Sequence, residues 1–238
     1  MKRGERRNFG RGGDFTERLV RQYGNGQTER WGGSEWMRML THFRKNGTLE
    51  DEAFLRYLRQ DYIFLLNFSR AWALAIVKTD NLQEMRMAAN LVNALLNEEL
   101  QLHVKICQEK GISEDELQKT AELPENMAYT RYVLEAGFSG SFLDLMASLA
   151  PCVMGYGEIG AKLKEEKTSE KYSEWINTYS GCDYQNLCSE LGKVIDNALK
   201  SRIGDNYEQS EQWKKLIKHF RQATILEGKF WEMGLHGE

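Results

Sequence analysis

Apolar residues recur every three or four positions along most of the chain, and this spacing is typical of helices that pack one face against a core. Three of these apolar stripes each contain one reactive side chain: Asp61, Cys152 or Glu227. Since residues at this spacing share a face, we expect all three to point inward. The stripes are Phe54, Leu58, Asp61, Leu65, Phe68 and Trp72; Leu145, Leu149, Cys152, Tyr156 and Ile159; and Leu216, Phe220, Ala223, Glu227 and Phe230.

The same periodicity, together with capping residues, predicts helices along the whole chain after residue 34. Long stretches lack the alternation typical of strands, and the sequence has only two prolines, Pro124 and Pro151. We therefore predict an all-α, compact multi-helix bundle. Helices are expected at 35–44, 49–78 and 81–110, after the Ser113–Glu116 capping box, from Pro124 to about Gly137, at 141–164, in two or three pieces within 168–200, and at 208–233.

Residues 1–33 differ from the rest because they are rich in glycine and arginine. An irregular N-terminal arm is the favoured interpretation. A segment that touches RNA is the alternative, although the arm contains no repeated unit. We therefore divide the chain into an arm, 1–33, and a single helical domain, 34–238.

Composition narrows the class of protein. The net charge is −3, so the chain lacks the overall positive charge that is typical of proteins that bind nucleic acid. Charged residues interrupt every apolar run, and the N-terminus lacks the apolar segment of a secretory signal, so we predict no membrane span and no export. The four cysteines have no zinc or disulfide spacing. A cytoplasmic protein that binds neither nucleic acid nor membrane is expected.

Two motifs that are typical of cofactor or metal sites are weak evidence for such sites in this chain. Gly155–Gly160 matches the GxGxxG pattern of dinucleotide sites, but it lies in a predicted helix with no preceding strand. Glu99 and His103 form an ExxxH pair, which is a fragment of di-iron sites in helical bundles. No matching second set of residues is found, so we interpret the pair as a polar contact between helices and predict no metal.

Cys152 could be an inert buried thiol, which is the commoner role of a lone inward cysteine. Its surroundings favour a site. Pro151 should kink the helix, Gly155 and Gly157 permit close approach, and Tyr156 shares the face of the thiol. Burial raises a thiol pKa, and no histidine is near in sequence. A group that activates the thiol must therefore come from another helix.

Asp61 and Glu227 could each be a satisfied polar residue that fixes helix packing. Both together, on helices far apart in sequence, favour a pocket. Carboxyl groups in dry pockets have raised pKa values and can act as acids near neutral pH. They also suit amino-substituted nitrogen heterocycles, because they can accept from an amino group or donate to a ring nitrogen.

Over residues 34–236 the chain resembles the TenA family, which contains thiaminase II and aminopyrimidine aminohydrolase and has the haem-oxygenase-like all-helical fold. The order and spacing of several segments carry the resemblance, rather than any one segment. These segments are FLRYLRQDYIFLLNF around Asp61, NEELQLH around Glu99, ENMAYTRY around Tyr129, LAPCVMGYGEIG around Cys152, YSEWINTYSG around Tyr179 and LEGKFWEM around Glu227.

The resemblance implies separate roles for the three reactive residues. Cys152 matches the nucleophile of the Cys-containing class, which adds to C6 of a pyrimidine ring. Glu227 matches the acid that protonates the ring nitrogen. Asp61 matches the residue that holds the 4-amino group and the neighbouring ring nitrogen.

The resemblance also implies an aromatic pocket. Tyr129, Tyr156 and Tyr179 match residues that line it, and we expect Tyr179 to orient Glu227. Phe64 falls where many members carry a tyrosine, so the stacking surface is kept and a hydroxyl contact is lost.

The function implied is a hydrolase of thiamin-pyrimidine salvage. It would convert 4-amino-5-aminomethyl-2-methylpyrimidine to the 5-hydroxymethylpyrimidine with release of ammonia, and would cleave thiamin as a secondary activity. No metal or organic cofactor is required, and self-association as a homotetramer is expected from the family. The alternatives are a non-catalytic binder of a pyrimidine or another small molecule, and a metal-dependent oxidase on the same fold; regulation through DNA has only the arm in its favour.

Overall fold

The computed structural model describes residues 51–165 and 170–236. These residues are almost entirely helical and contain no strand. The Gly/Arg-rich arm and the helix predicted at 35–44 lie outside the described residues. The helices are α1 (Asp51–Val77), α2 (Leu82–Ala94), α3 (Leu100–Glu109), α4 (Glu114–Gln118), α5 (Pro124–Ser139), α6 (Phe142–Lys164), α7 (Ser173–Ser180), α8 (Cys182–Ile203) and α9 (Glu211–His236).

The described part of the chain is an all-α bundle around one hydrophobic core, as the periodicity predicts. Helix α6 lies at its centre and packs against α5, α7, α8 and α9. Nearly every residue from Phe142 to Gly157 is buried, which fits a helix that is apolar on all sides. The apolar members of the three predicted stripes are buried. Asp61, Cys152 and Glu227 are buried with them, so the prediction that they face inward is confirmed.

Helix ends follow their capping residues closely. Ser113 and Glu116 form the predicted capping box, and Ser141 and Asp144 form a second one at the start of α6. Pro124 is the first residue of α5, where its missing N–H costs nothing. Pro151 lies inside α6, and the helix continues through it from Phe142 to Lys164. None of the described helices combines the length and apolar character that a bilayer span requires.

The helix predicted at 81–110 is interrupted. It begins at the Asn81 cap as α2, widens into a π-helical segment at Leu95–Glu99, and continues as α3. In the π segment the backbone N–H of Leu100 bonds to the carbonyl of Leu95, five residues back. The wider turn changes which residues share a face after Leu95. Such bulges occur often at functional sites.

Two glycines let α6 approach its neighbours closely. A Cβ atom on Gly160 would lie 2.6 Å from the backbone carbon of Tyr179 and 2.7 Å from the backbone nitrogen of Ser180, both at the end of α7. A Cβ on Gly157 would lie 2.7 Å from the sulfur of Cys188 on α8. The glycines of the GxGxxG pattern therefore serve helix packing, in agreement with its rejection as a dinucleotide motif.

We expect Gly160→Ala to lower the free energy of unfolding by about 1–3 kcal/mol, because the new methyl group meets backbone that cannot rotate away. Gly157→Ala is the matched control on the same helix. Its methyl group meets a side-chain sulfur that can turn aside, and the change gains up to about 1 kcal/mol of helix propensity. Urea unfolding of both variants checks this, and an equal loss in the two would contradict it.

Candidate active site

Asp61 lies on the inner face of α1 and is 1% exposed. The hydroxyl of Tyr57, one turn earlier, donates to its Oδ2 atom at 3.0 Å. Nδ1 of His103 is 3.3 Å from the same oxygen, but the orientation does not make a hydrogen bond. Burial, followed by the charge of Glu99, raises the pKa of Asp61 well above its usual value. Burial lowers the pKa of His103 to about 3, so its ring is neutral near pH 7.

Glu227 lies on α9 and is also 1% exposed. The hydroxyl of Tyr129, on α5, donates to its Oε2 atom at 2.5 Å. Burial raises the pKa of Glu227 to about 7, although the hydrogen bond from Tyr129 and the nearby indole of Trp231, one turn further along α9, both lower it. The carboxyl group can therefore hold or release a proton near neutral pH.

Cys152 lies on α6, one residue after Pro151, and is 7% exposed. Burial raises the pKa of its thiol well above the usual value, and the charges of Glu227, Glu99 and Asp61 raise it further, in that order. The thiol is therefore protonated at neutral pH, and its ionisation requires a nearby proton acceptor. The charges of all three carboxyl groups thus act on this one sulfur, and we call Cys152 and these three carboxyl groups the cluster.

Hydroxyl groups connect Asp61 to the face of α6. The hydroxyl of Tyr156 lies 3.2 Å from that of Tyr57, which in turn donates to Asp61. The ring of Tyr156 lies 4.9 Å from that of Tyr179 and 5.2 Å from that of Trp231, measured between centroids. The aromatic side chains thus hold the ring of Tyr156 in place, with its hydroxyl next to that of Tyr57.

Phe64 and Tyr129 form another side of the cluster. Their ring centroids lie 5.0 Å apart, and Phe64 also lies 5.3 Å from Phe230. Phe64 is buried among apolar rings, so a phenylalanine is well accommodated where the resemblance favours a tyrosine.

The expectation that Tyr179 orients Glu227 is wrong. The hydroxyl of Tyr179 donates instead to Oε1 of Glu99 at 2.5 Å, and Tyr129 bonds to Glu227. Burial raises the pKa of Glu99 to about 7, and the hydrogen bond from Tyr179 lowers it in part. Glu99 and Glu227 are therefore each held by a tyrosine, and each has a pKa of about 7.

A cavity of about 540 Å³ opens beside Cys152, between α2, the π segment, α6, α7 and α8. Of the predicted site residues, Cys152 and Tyr179 line it, whereas Asp61, Phe64, Tyr129, Tyr156 and Glu227 lie outside its lining. The lining residues are Leu65, Phe68, Asn90, Leu91, Asn93, Ala94, Leu95, Glu98, Glu99, Leu102, Cys152, Val153, Thr178, Tyr179, Asp183, Tyr184 and Leu187.

Glu99 is the site residue that the sequence interpretation missed, because the ExxxH pair was assigned to a polar helix contact. The stripe Leu91, Leu95, Glu99, Leu102 offers the same signal that found Asp61, a carboxyl group within an apolar face. Within the described ranges, no group of three or more His, Cys, Asp or Glu residues is placed to hold a metal ion.

The model of the TENA/THI-4/PQQC family matches residues 41–237. The chain is 34% identical over 191 residues to an aminopyrimidine aminohydrolase of Halalkalibacterium halodurans, covering 79% of this chain and 83% of that protein. The chain belongs to the TENA/THI-4/PQQC family.

Solved structures agree with this assignment. One described as a TenA family transcription regulator, from Silicibacter sp. TM1040, superposes with a TM-score of 0.84 at 48% identity and covers 93% of this chain and 96% of that one. A TenA homologue from P. horikoshii OT3 has a TM-score of 0.76 at 25% identity, with 94% and 99% covered. The predicted TenA-like, all-α fold is therefore confirmed.

Proposed function

We propose that this protein is an aminopyrimidine aminohydrolase that acts by covalent catalysis. Its substrate would be 4-amino-5-aminomethyl-2-methylpyrimidine, its products the 5-hydroxymethylpyrimidine and ammonia, and thiamin would be cleaved more slowly. The observation that carries the proposal is that Cys152 lines an open cavity and that the charges of two buried carboxyl groups, Glu227 and Asp61, act on its thiol. The activity named for the Halalkalibacterium relative supports it.

The chemistry of each group fits one step. The Cys152 sulfur adds to C6 of the ring while Glu227, which holds a proton near neutral pH, protonates the ring nitrogen. The ring is then rich in electrons and expels the group on the 5-methylene. Asp61 would bond to the 4-amino group, whose nitrogen supplies the electron pair. Water adds at the methylene, and the cysteine leaves.

Substrate binding in this arrangement requires side chains to move. The two carboxyl groups that would contact the ring are each 1% exposed and do not line the cavity. The ring would enter past Cys152 and displace aromatic side chains such as that of Tyr156, whose hydroxyl bonds to Tyr57. Binding should therefore change the fluorescence of Trp231, which lies against Tyr156.

A substrate panel tests the proposed function. We expect kcat/KM for the aminomethylpyrimidine to exceed that for thiamin and for the formylated aminomethylpyrimidine, with one ammonia released per turnover. Ammonia release and chromatography of the pyrimidine product measure this. Preference for thiamin would make the protein a thiaminase, and binding of all three compounds without turnover would favour a non-catalytic binder.

A further inference from the structure

Glu99 shares the cavity with the nucleophile. The π-helical segment at Leu95–Glu99 ends with this carboxyl group, and both Glu99 and Cys152 line the same space. Among the carboxyl groups, Glu227 raises the pKa of the Cys152 thiol most, and Glu99 raises it by the next largest amount. The hydrogen bond from Tyr179 uses Oε1. Among the described residues no hydrogen bond to Oε2 is found, so this oxygen is available to a group in the cavity.

Among the described residues, no cation lines the cavity beside the thiol or appears among the charges that act on its pKa. Within the described ranges the cavity lining includes no lysine, arginine or histidine. His103 is neutral and lies against Asp61. The titratable groups around Cys152 and Glu99 are Asp61, Glu227, Glu98, Asp183, Tyr57, Tyr129, Tyr156, Tyr179, Tyr184 and Cys188. A carboxylate is therefore the base that can remove the thiol proton.

Two of the three inner carboxyl groups are committed elsewhere. Under the proposed function Glu227 gives its proton to the ring nitrogen in the step in which sulfur adds, so it cannot accept a proton in that step. Asp61 faces the 4-amino group and is bonded to Tyr57. Glu99 is held by a different tyrosine, lies on the cavity side of the cluster, and ionises close to pH 7.

We propose that Glu99 is a second catalytic carboxyl group, which accepts the Cys152 thiol proton and passes it to the amine that leaves the 5-methylene. This inference rests on the proposed function and names the proton path of the same site. Glu227 would exchange a proton with the ring nitrogen, and Glu99 would exchange one with the thiol and the leaving amine.

The protons balance when the substrate binds as a neutral amine. The S–H bond breaks and its proton moves to the Glu99 carboxylate, while the S–C6 bond forms and N1 takes the proton of Glu227. The 4-amino nitrogen then supplies the electron pair that breaks the methylene C–N bond, and the proton on Glu99 completes ammonia.

The second half reverses these transfers. Water forms the C–O bond at the methylene and gives a proton to Glu99, and the electron pair returns to the ring. The S–C6 bond then breaks, the proton of Glu99 returns to the sulfur, and the N1 proton returns to Glu227. The sum is one amine and one water converted to one alcohol and one ammonia.

The first test uses the difference between two leaving groups. Ammonia needs a proton in order to leave, whereas the thiazolium group of thiamin leaves as a neutral thiazole without one. We expect Glu99→Gln to lower kcat/KM for the aminomethylpyrimidine by about 10²–10⁴-fold, and to lower that for thiamin at least about tenfold less. The control is Glu109→Gln, which changes an exposed carboxyl group on α3 and should leave both rates unaltered.

The second test needs no turnover. Alkylation of Cys152 by iodoacetamide is followed by peptide mass spectrometry from pH 6 to 9, with exposed Cys182 as an internal reference. In the wild type the rate should reach a plateau above about pH 7, where Glu99 is ionised. In Glu99→Gln it should keep rising about tenfold per pH unit, because the solvent must then take the proton. Repeating the comparison on a Glu227→Gln background removes the other carboxyl group that titrates in this range.

The outcomes separate the inference from the proposed function. A plateau that persists in Glu99→Gln overturns the role of Glu99 as proton acceptor, even where Cys152 is essential for turnover. An equal loss for both substrates overturns its role as donor to the amine. If the wild type turns over neither substrate, the proposed function fails, and the alkylation profile still decides whether Glu99 takes the thiol proton.

Tyr179→Phe provides a second variant that keeps the carboxyl group, for use where Glu99→Gln does not fold. The hydrogen bond from Tyr179 lowers the pKa of Glu99, so its loss should raise that pKa and move the onset of the alkylation plateau to higher pH. An unmoved onset would contradict the inference. A purely structural effect would change the rate without moving the onset.

Discussion

Replacing Cys152 with alanine should lower kcat/KM for the aminomethylpyrimidine by roughly 10⁴-fold or more, because the covalent route is lost with the sulfur. The fold should survive: the side chain is small, and its removal leaves a minor defect beside an existing cavity. Binding should be kept, since the substitution leaves Asp61 and Glu227, the proposed contacts of the ring, in place. Steady-state ammonia release measures the first effect, and the change in tryptophan fluorescence on titration measures the second.

Cys182→Ala is the matched control, because this cysteine is exposed at the start of α8. It should retain the wild-type rate. Full turnover by Cys152→Ala would remove the nucleophile from the mechanism, while loss of binding together with turnover would show that the substitution disturbed the pocket. A variant that binds the pyrimidine but releases no ammonia separates an enzyme from a non-catalytic binder.

The inward direction of the three reactive residues could be read from periodicity because an apolar stripe determines which face of a helix is buried. Asp61 follows Leu58 and precedes Leu65, and each of these residues is buried in the structure. Helix ends could be read equally well where a local cap exists, as at Ser113 and Ser141. Both kinds of information lie within a few residues of sequence.

The pairing of tyrosines with carboxyl groups could not be read in this way. Tyr129 and Glu227 are 98 residues apart, and Tyr179 and Glu99 are 80 apart, so the pairing depends on how α5, α7, α9 and the π segment meet. The wrong assignment of Tyr179 to Glu227 reflects this. The π segment itself has no sequence signal that we recognise, since Leu95–Glu99 continues the helical pattern on both sides.

Burial of carboxyl groups costs stability, so Glu227 should affect folding in addition to the catalytic role proposed for it. Its pKa is raised to about 7 in the folded protein from 4.5. The folded state therefore holds this proton more strongly than the unfolded chain, and stability falls as pH rises from about 4.5 through about 7. Above that range, a shift of this size corresponds to about 3 kcal/mol of lost stability. Under the proposed function, activity and stability thus make opposite demands on this residue.

Glu227→Gln should accordingly have two effects of opposite sign. We expect kcat/KM to fall about 10²–10⁴-fold, because the ring nitrogen loses its proton donor. At pH 8 the free energy of unfolding should rise by about 2–3 kcal/mol, because the amide is neutral at every pH, while at pH 4 the variant should gain little. Urea unfolding at the two pH values measures the second effect. Glu190→Gln, an exposed change on α8, is the control and should show no such pH dependence.

Tyr129→Phe separates the acid from its hydrogen-bond donor while the carboxyl group stays in place. The bond from Tyr129 lowers the pKa of Glu227, so its loss should raise that pKa and move the alkaline limb of the kcat/KM profile to higher pH. The limb falls with rising pH because the protonated carboxyl group is the active form. A limb that stays in place in Tyr129→Phe, or a Glu227→Gln variant whose gain in stability over the wild type is no larger at pH 8 than at pH 4, would contradict the proposal that Glu227 carries the catalytic proton.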